Sequence, residues 1–431
     1  MATDRPNVLQ ILTDQQQARA LGAVDGSFET PNLDRLAESG ALFTGCHSTH
    51  PQCSPARSSL VTGQYPHRTG MSTLPGWGPG PLDADLPSVA RPFRAAGYET
   101  AYVGKWHLGE DTIDDFGWEV TRNVHETSNP PEGTPGDTTT RDRAIEYLAA
   151  RYGDAPFFLT ASFNLPHPGF YEDPGFADRY DRDAVPMPES FADDLADKPA
   201  FHRDRAGGSE GGLTESEVRD MRYKYRTMVS RVDDHVGRIL DELETQGLRE
   251  DTAVVFTSDH GDMQGAHRLA KKGVIAYDEI LRVPLIVDLP DRESRRDRIP
   301  DLCSLASIPA TLLDAAGLST GEFEAGSLLP ALDRTAPPDE ERVFFEHHYA
   351  YWGFHPYRGV RTRDWKYVEN LLEETDELYH VAEDPHEMEN LSGEPEHAAV
   401  ESRLQDTVEE WWEQTGGEEA AWTDPPAAHT R

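Results

Sequence analysis

Cysteine is scarce in this chain: three residues (Cys46, Cys53, Cys303) among 431. Three thiols build no disulfide framework, and the odd count leaves at least one unpaired. Long apolar runs are also missing, so no stretch reaches the roughly 18 apolar residues needed to span a membrane. The N-terminus, Met-Ala-Thr-Asp-Arg-Pro, has no basic leader followed by an apolar core. These absences predict a soluble, cytoplasmic protein with no membrane partner. Basic residues are short as well, 40 Lys and Arg against 78 Asp and Glu, for a formal net charge of -38. Nothing basic is clustered to neutralise phosphates, which argues against nucleic acid as a partner.

An acidic tail, a multivalent metal sink or adaptation to high salt would each produce this balance. The acids are interleaved with apolar periodicity along the whole chain, although Glu409 to Asp424 is locally rich. That pattern predicts a solvated acidic surface suited to a high-salt cell interior. In molar salt the Debye length falls to about 3 Å, and the self-repulsion of such a surface is screened.

The length suits one large α/β domain with an appendage. Asn7 to Thr13, Pro156 to Phe163 and Thr252 to Ser258 are short runs rich in branched and aromatic residues, the pattern of strands buried on both faces. Glu99 to Val103 reads as another strand, and Arg282 to Val287 as a further one. Helices are expected from Thr30 to Gly40, between Leu86 and Gly97, from Thr139 to Tyr152, from Thr214 to Gln246 behind a Thr-Glu-Ser-Glu capping box, and from Leu305 to Ala316. Thr121 to Asp137, which contains Asn-Pro-Pro-Glu-Gly-Thr-Pro-Gly, reads as a loop. Asp173 to Gly212 reads as a long excursion over the sheet. Past Asp333 come short strand candidates at 343–346, 359–362 and 365–369, followed by Glu377-Leu-Tyr-His-Val and closed by a helix from Glu396 to Trp412. The expected organisation is a mixed-sheet catalytic domain over 1–333, a small antiparallel α+β subdomain over 334–413 and a mobile acidic tail over 414–431.

Polar residues follow several of the strands at the ends where open α/β sheets bind ligands. Asp14-Gln15 follows the first; Asp14 alone would serve equally well as a helix N-cap. Gly104-Lys105-Trp106-His107-Leu108-Gly109 follows the strand that starts at Glu99, and on an extended end Lys105 and His107 share a face. Asn164-Leu-Pro-His167-Pro follows the next strand, and Asp259-His260-Gly261-Asp262 the strand after that. Oxygen and nitrogen donors from Asp14-Gln15 and Asp259-His260 can converge on one hard cation. The run His50-Pro-Gln-Cys53-Ser-Pro-Ala-Arg57-Ser-Ser-Leu-Val-Thr62-Gly63 carries the most information. Pro55 biases Ser54 away from the helical region and predicts a turn at Cys53, ahead of a helix beginning near Ala56. A side chain there faces the positive helix end, which favours an anion, and Arg57 one turn along can address the same group.

Cys-x-Pro-x-Arg followed by Leu-x-Thr-Gly resembles the signature of the type I sulfatases, in the alkaline-phosphatase-like superfamily. The resemblance extends from Asn7 to Leu391 with its motifs in order. It implies an α/β fold with a large mixed sheet sandwiched by helices, a small C-terminal antiparallel sheet and helix, and hydrolysis of a sulfate ester. It implies that a formylglycine-generating maturation enzyme oxidises Cys53 to an aldehyde, whose hydrate supplies the nucleophile. By the same analogy Lys105 binds sulfate, His107 takes the proton of the reserve hydroxyl, and His167 contacts the bridging oxygen. Lys272 binds a sulfate oxygen, with Lys271 the alternative by one register. The metal ligands implied are Asp14, Gln15, the residue-53 side chain, Asp259 and His260. Calcium is the family default, with manganese or magnesium possible, and the imidazole suits manganese or zinc better. The family usually has two aspartates where Asp14-Gln15 stands. With His260, Gln15 is similar instead to the phosphonate monoester and phosphodiester hydrolase branch, the rival enzymatic reading. A catalytically silent anion- or metal-binding protein is the other rival, if Cys53 stays a thiol. Pro356 to Asn370 resembles sulfamidase-like members, so a sugar sulfate and an aryl sulfate are both admissible small-molecule substrates.

Overall fold

The computed structural model describes residues 5–420 apart from 78–79, 110–112, 126–135, 152–154, 208–211, 291–297, 322, 324, 333–340, 351–352 and 374. Its main sheet contains β1 (Asn7–Thr13), β2 (Ala41–His47), β3 (Glu99–Lys105), β4 (Val120–His125), β5 (Phe157–Ser162), β6 (Thr252–Ser258), β7 (Leu285–Asp288) and β8 (Arg298–Ser304). The eight strands run in the order β4-β3-β5-β1-β6-β7-β2-β8. All pairings are parallel except those of β7, which is antiparallel to both β6 and β2. The carboxyl ends of β1, β2, β3, β5 and β6 therefore share one edge.

Every residue of β1, β5 and β6 is buried, as expected of strands covered on both faces. One face packs on α1 (Pro31–Ser39), α4 (Asp137–Ala149) and α5 (Glu215–Thr245), through Leu33, Leu36, Tyr147, Leu148, Met228, Val232 and Ile239. The other packs on α2 (Cys53–Thr62), α3 (Ala90–Ala95) and α6 (Ile308–Ala315), through Leu60, Val61, Phe93, Leu312 and Leu313. The capping box that opens α5 is formed by Thr214 and Glu217. The large mixed sheet between helices is the architecture expected.

Three local expectations change. Residues Val120–His125 form edge strand β4 rather than the start of a loop, and the rest of that stretch, 126–135, lies outside the described residues. Strands β2 and β8 were not evident in the sequence pattern; β8 carries Pro300, which an edge strand tolerates because one side of its ladder is unpaired. Helix α2 starts at Cys53, three residues before Ala56. Pro55 sits within its first turn, where the missing N–H has no intrahelical partner to lose, and the Ala56 N–H already bonds the Gln52 carbonyl at 3.2 Å.

The second sheet has four antiparallel strands in the order β12-β11-β10-β9: β9 (Arg342–His347), β10 (Tyr357–Thr362), β11 (Lys366–Asn370) and β12 (Glu377–Tyr379). The closing helix α7 (Ala398–Gln414) packs Leu404, Val408, Trp411 and Trp412 over it. This sheet lies against the loop preceding α2, where the Glu346 N–H donates to the Thr49 carbonyl at 3.0 Å. Residues 421–431 of the expected tail lie outside the described residues. Among the described residues no helix is long and apolar enough to cross a membrane.

Candidate active site

Five chain segments meet at the shared carboxyl edge. At the end of β1, Asp14 and Gln15 are fully buried, and Gln15 is held at φ 71°, a conformation that β-carbon-bearing residues rarely adopt outside constrained sites. The Gln15 N–H donates to Asp259 Oδ1 at 3.1 Å, which ties the end of β1 to that of β6. The Asp14 N–H donates to the Leu165 carbonyl at 3.2 Å, which ties it to the segment after β5.

Cys53, the first residue of α2, places Sγ 3.3 Å from His260 Nε2, 3.6 Å from Asp14 Oδ1 and 2.7 Å from Lys272 Nζ. One donor atom each from Asp14, Cys53, Asp259 and His260 lie within 4.8 Å of one another, all buried. The site residues expected from opposite ends of the chain therefore converge on one point. Lys272 is the lysine that reaches it, whereas Lys271 is exposed.

Lys105, at the end of β3, is fully buried against Asp14 Oδ2. The preceding Gly104 sits at φ 101°, and a β-carbon there would lie 2.0 Å from the Ser162 carbonyl, so the motif requires glycine at this position. Arg57 is already engaged: Nε donates to Asp259 Oδ2 at 2.7 Å and Nη1 to the Lys105 carbonyl at 3.0 Å and Ser162 Oγ at 2.9 Å. Only its Nη2, 3.8 Å from Asp14 Oδ2, has no hydrogen-bond partner. Its guanidinium orients Asp259 first and has one corner left for an anion.

Burial alone would raise the Asp259 carboxyl, but His260, Arg57, Lys105 and Lys272 outweigh it and hold the group well below the usual range. Burial lowers His260 to about 3, so the ring is neutral. Its Nδ1 donates to the Gly261 carbonyl at 2.8 Å, which leaves the Nε2 lone pair directed into the cluster. Burial likewise pushes the Cys53 thiol up, against the opposing pull of Lys272. Burial, followed by positive charges that include Lys105 and Lys272, lowers His107 and His167 well below the ordinary histidine value.

The donor set fits a divalent cation. Two carboxylates and an imidazole lone pair face one another, and the Gln15 side-chain oxygen is buried without a hydrogen-bond partner. The Gln15 amide nitrogen donates to Asp262, which turns the oxygen of the amide into the leftover acceptor. Asp262, which sequence reasoning assigned no role, thus orients a candidate ligand; its place in Asp259-His260-Gly261-Asp262 was the available signal. Burial raises this carboxyl to about 6. Tyr225 on α5 also escaped notice: its hydroxyl accepts from the Gln17 N–H and donates to the Gln15 carbonyl, each at 2.9 Å. Nothing in the pattern of α5 distinguishes it from a core tyrosine.

The family model described as Sulfatase matches residues 6–318, and that described as N-sulphoglucosamine sulphohydrolase, C-terminal, matches residues 265–414. The uncharacterized sulfatase YidJ of Escherichia coli (strain K12) is 32% identical over 450 residues, covering 94% of this chain and 86% of that protein. The structure of BT4656 in complex with its substrate D-glucosamine-2-N,6-O-disulfate superposes with a TM-score of 0.86 at 22% identity, covering 98% of this chain and 100% of the other. The phosphonate monoester hydrolase of Agrobacterium radiobacter superposes with a TM-score of 0.79 at 26% identity, covering 95% and 96%.

Proposed function

We propose, because the chain belongs to the sulfatase family, that its hydrolysis of a small-molecule sulfate ester runs through an oxygen nucleophile made from Cys53 and a divalent cation held beside it. The observation that carries the reading is the convergence of Asp14, Cys53, Asp259 and His260 within 4.8 Å, with Lys272 on Sγ. In this reading Sγ stands where the oxygen of a hydrated formylglycine would be, and a maturation enzyme must install it. Asp14, Asp259, His260 and the Gln15 oxygen would hold the cation. When present, the hydrated aldehyde supplies the attacking oxygen and the cation the charge that activates it and screens the sulfate. Calcium, manganese and magnesium are the ions to test.

The remaining roles fall to ordinary side chains. Lys272, against Sγ, and Lys105, against Asp14, attract the outer sulfate oxygens, where preorganised cations in a buried site are most effective. Arg57 fixes Asp259 and offers Nη2 to the same anion. His107, kept neutral by burial, is the base for the proton that must leave before sulfate is released. His167 donates from Nδ1 to the Pro168 carbonyl at 2.8 Å, so Nε2 can donate to the leaving oxygen only when the ring is protonated. An arriving sulfate raises the proton affinity of that ring, and charge on the substrate prepares the acid for its own departure step.

Mass spectrometry of the Cys53 peptide tests the reading, since the aldehyde is lighter than the thiol. It should accompany turnover of 4-nitrophenyl sulfate and its loss in Cys53→Ala. A protein with an unmodified thiol and no turnover would be a silent anion- or metal-binding relative. The second enzymatic reading, a phosphonate monoester or phosphodiester hydrolase, draws on Gln15, His260 and the structural likeness to the Agrobacterium enzyme. A clear preference for a phenylphosphonate ester over 4-nitrophenyl sulfate would select it.

A further inference from the structure

The segment Asn164–His167 that follows β5 is held from behind by a buried carboxylate the chemistry above does not use. Asp137, the first residue of α4, is 7% exposed, and its carboxylate reaches away to the segment after β5. Its Oδ1 accepts from the Asn164 backbone N–H at 2.8 Å and from Asn164 Nδ2 at 3.1 Å, and its Oδ2 accepts from the Leu165 N–H at 2.7 Å. The Asn164 carbonyl in turn accepts from the His167 N–H at 2.9 Å, and the Leu165 carbonyl accepts from the Asp14 N–H at 3.2 Å. Asn164 Nδ2 also lies 3.2 Å from His125 Nε2, at the end of β4, where His125 pairs in register with Lys105. One carboxylate thus fixes two consecutive amides and one side chain of a turn that presents His167 on one side and receives Asp14 on the other.

A buried carboxyl that accepts three hydrogen bonds is an expensive group to place for structural reasons alone, since an apolar residue with a different turn would avoid its desolvation. What three charge-assisted bonds to one turn provide is a fixed backbone, and histidine chemistry on a leaving oxygen depends on sub-ångström placement. We propose that Asp137 is a positioning residue for departure of the leaving group, acting through the Asn164–Leu165 amides on His167. This rests on the role of His167 given above.

If His167 supports the departing oxygen, removing that support makes the rate depend more steeply on the leaving group. Asp137→Asn replaces one of the two acceptor oxygens by an NH2 group, which cannot accept, so either the Asn164 bonds or the Leu165 bond is lost. The test measures kcat/KM for a series of aryl sulfates, from 4-nitrophenyl to unsubstituted phenyl, in wild type, Asp137→Asn, His167→Ala and the double variant. We expect Asp137→Asn to lower the rate by roughly 10-fold for 4-nitrophenyl sulfate and by about 100-fold or more for phenyl sulfate, within the range of a lost proton-transfer catalyst. The bound metal content should remain that of wild type, and the double variant should be no slower than His167→Ala alone, the mark of two residues acting as a unit. Should Asp137→Asn fail to fold, Asp137→Ser carries the same comparison. Equal loss for every leaving group, or effects that multiply in the double variant, would overturn the proposal while leaving His167 in its role. A leaving-group dependence in His167→Ala no steeper than that of wild type would instead remove the role of His167, and with it the proposal.

Discussion

The ammonium nitrogen of Lys272 lies 2.7 Å from Cys53 Sγ and 3.4 Å from His260 Nε2, so a residue on the loop after β6 closes over the first residue of α2. In the reading proposed above a cation at that point would serve an incoming anion and the nucleophile together, whereas its neighbour Lys271 is exposed. Lys272→Ala should therefore lower kcat/KM for 4-nitrophenyl sulfate by about 100- to 1,000-fold, the loss typical of a preorganised group facing transition-state charge. Lys271→Ala should stay within about twofold of wild type. A reversed order of the two variants would refute the assigned register.

The cation prediction follows from the same cluster. Two buried carboxylates, a neutral imidazole lone pair and the unpartnered Gln15 side-chain oxygen form a donor set that suits a divalent cation. Dialysis against a chelator should abolish turnover and lower the melting temperature. Adding calcium, manganese or magnesium in turn should restore both, because an ion that binds only the folded state stabilises it by mass action. His260→Ala should reduce stoichiometric metal binding measured by elemental analysis. Undiminished binding in that variant would place the metal elsewhere.

Acid stability should depend on a pair outside the site. The Glu346 carboxylate accepts from the His67 backbone N–H and from His67 Nδ1, each at 2.6 Å, and both side chains are fully buried. Burial would raise Glu346, but His67 and His348 outweigh it and lower the carboxyl to about 2, from 4.5 in the unfolded chain. A depressed carboxyl adds stability that is complete above pH 4.5 and is lost as the pH falls toward 2, in this case on the order of 3 kcal/mol. Urea unfolding between pH 5 and pH 2.5 should show this fall, and Glu346→Gln should flatten its share of the slope while lowering stability at pH 7. An unchanged slope in the variant would show that the pair does not carry the effect.

How far the fold and site could be read in advance varied with the kind of interaction involved. Strands β1, β5 and β6 were legible because burial on both faces leaves an unbroken apolar run, and their polar exits pointed to Asp14, His167 and Asp259. Edge strands β4 and β8 lack that pressure, so Arg122 and Pro300 disguise them. The start of α2 was misplaced because Pro55 is unfavourable for the residue before it yet costs nothing in the first turn of a helix. The inward-facing residues were recognisable from their motifs. Their supports, Asp262 behind Gln15, Tyr225 behind Gln17 and Asp137 behind Asn164, were not, because each partner is set by tertiary contact rather than by spacing.

The net charge of -38 makes a last prediction, about salt. On α7, Asp406, Glu409, Glu410 and Glu413 are all exposed, with Arg403 the nearest basic residue along the helix. Repulsion among such groups opposes compaction, and it acts over about 10 Å at 0.1 M salt but only about 3 Å at 1 M. The melting temperature should therefore rise by roughly 3 to 5 °C between 0.1 M and 2 M KCl, at a ΔΔG of a few kcal/mol for a chain of this length. KCl also strengthens apolar burial to some degree, so the electrostatic share needs its own control. Replacing Glu409, Glu410 and Glu413 with glutamine should raise the low-salt melting temperature and leave the high-salt value nearly unchanged. If the wild-type melt ignores KCl, or if the variant gains equally at both concentrations, the acidic surface is not an adaptation to screening.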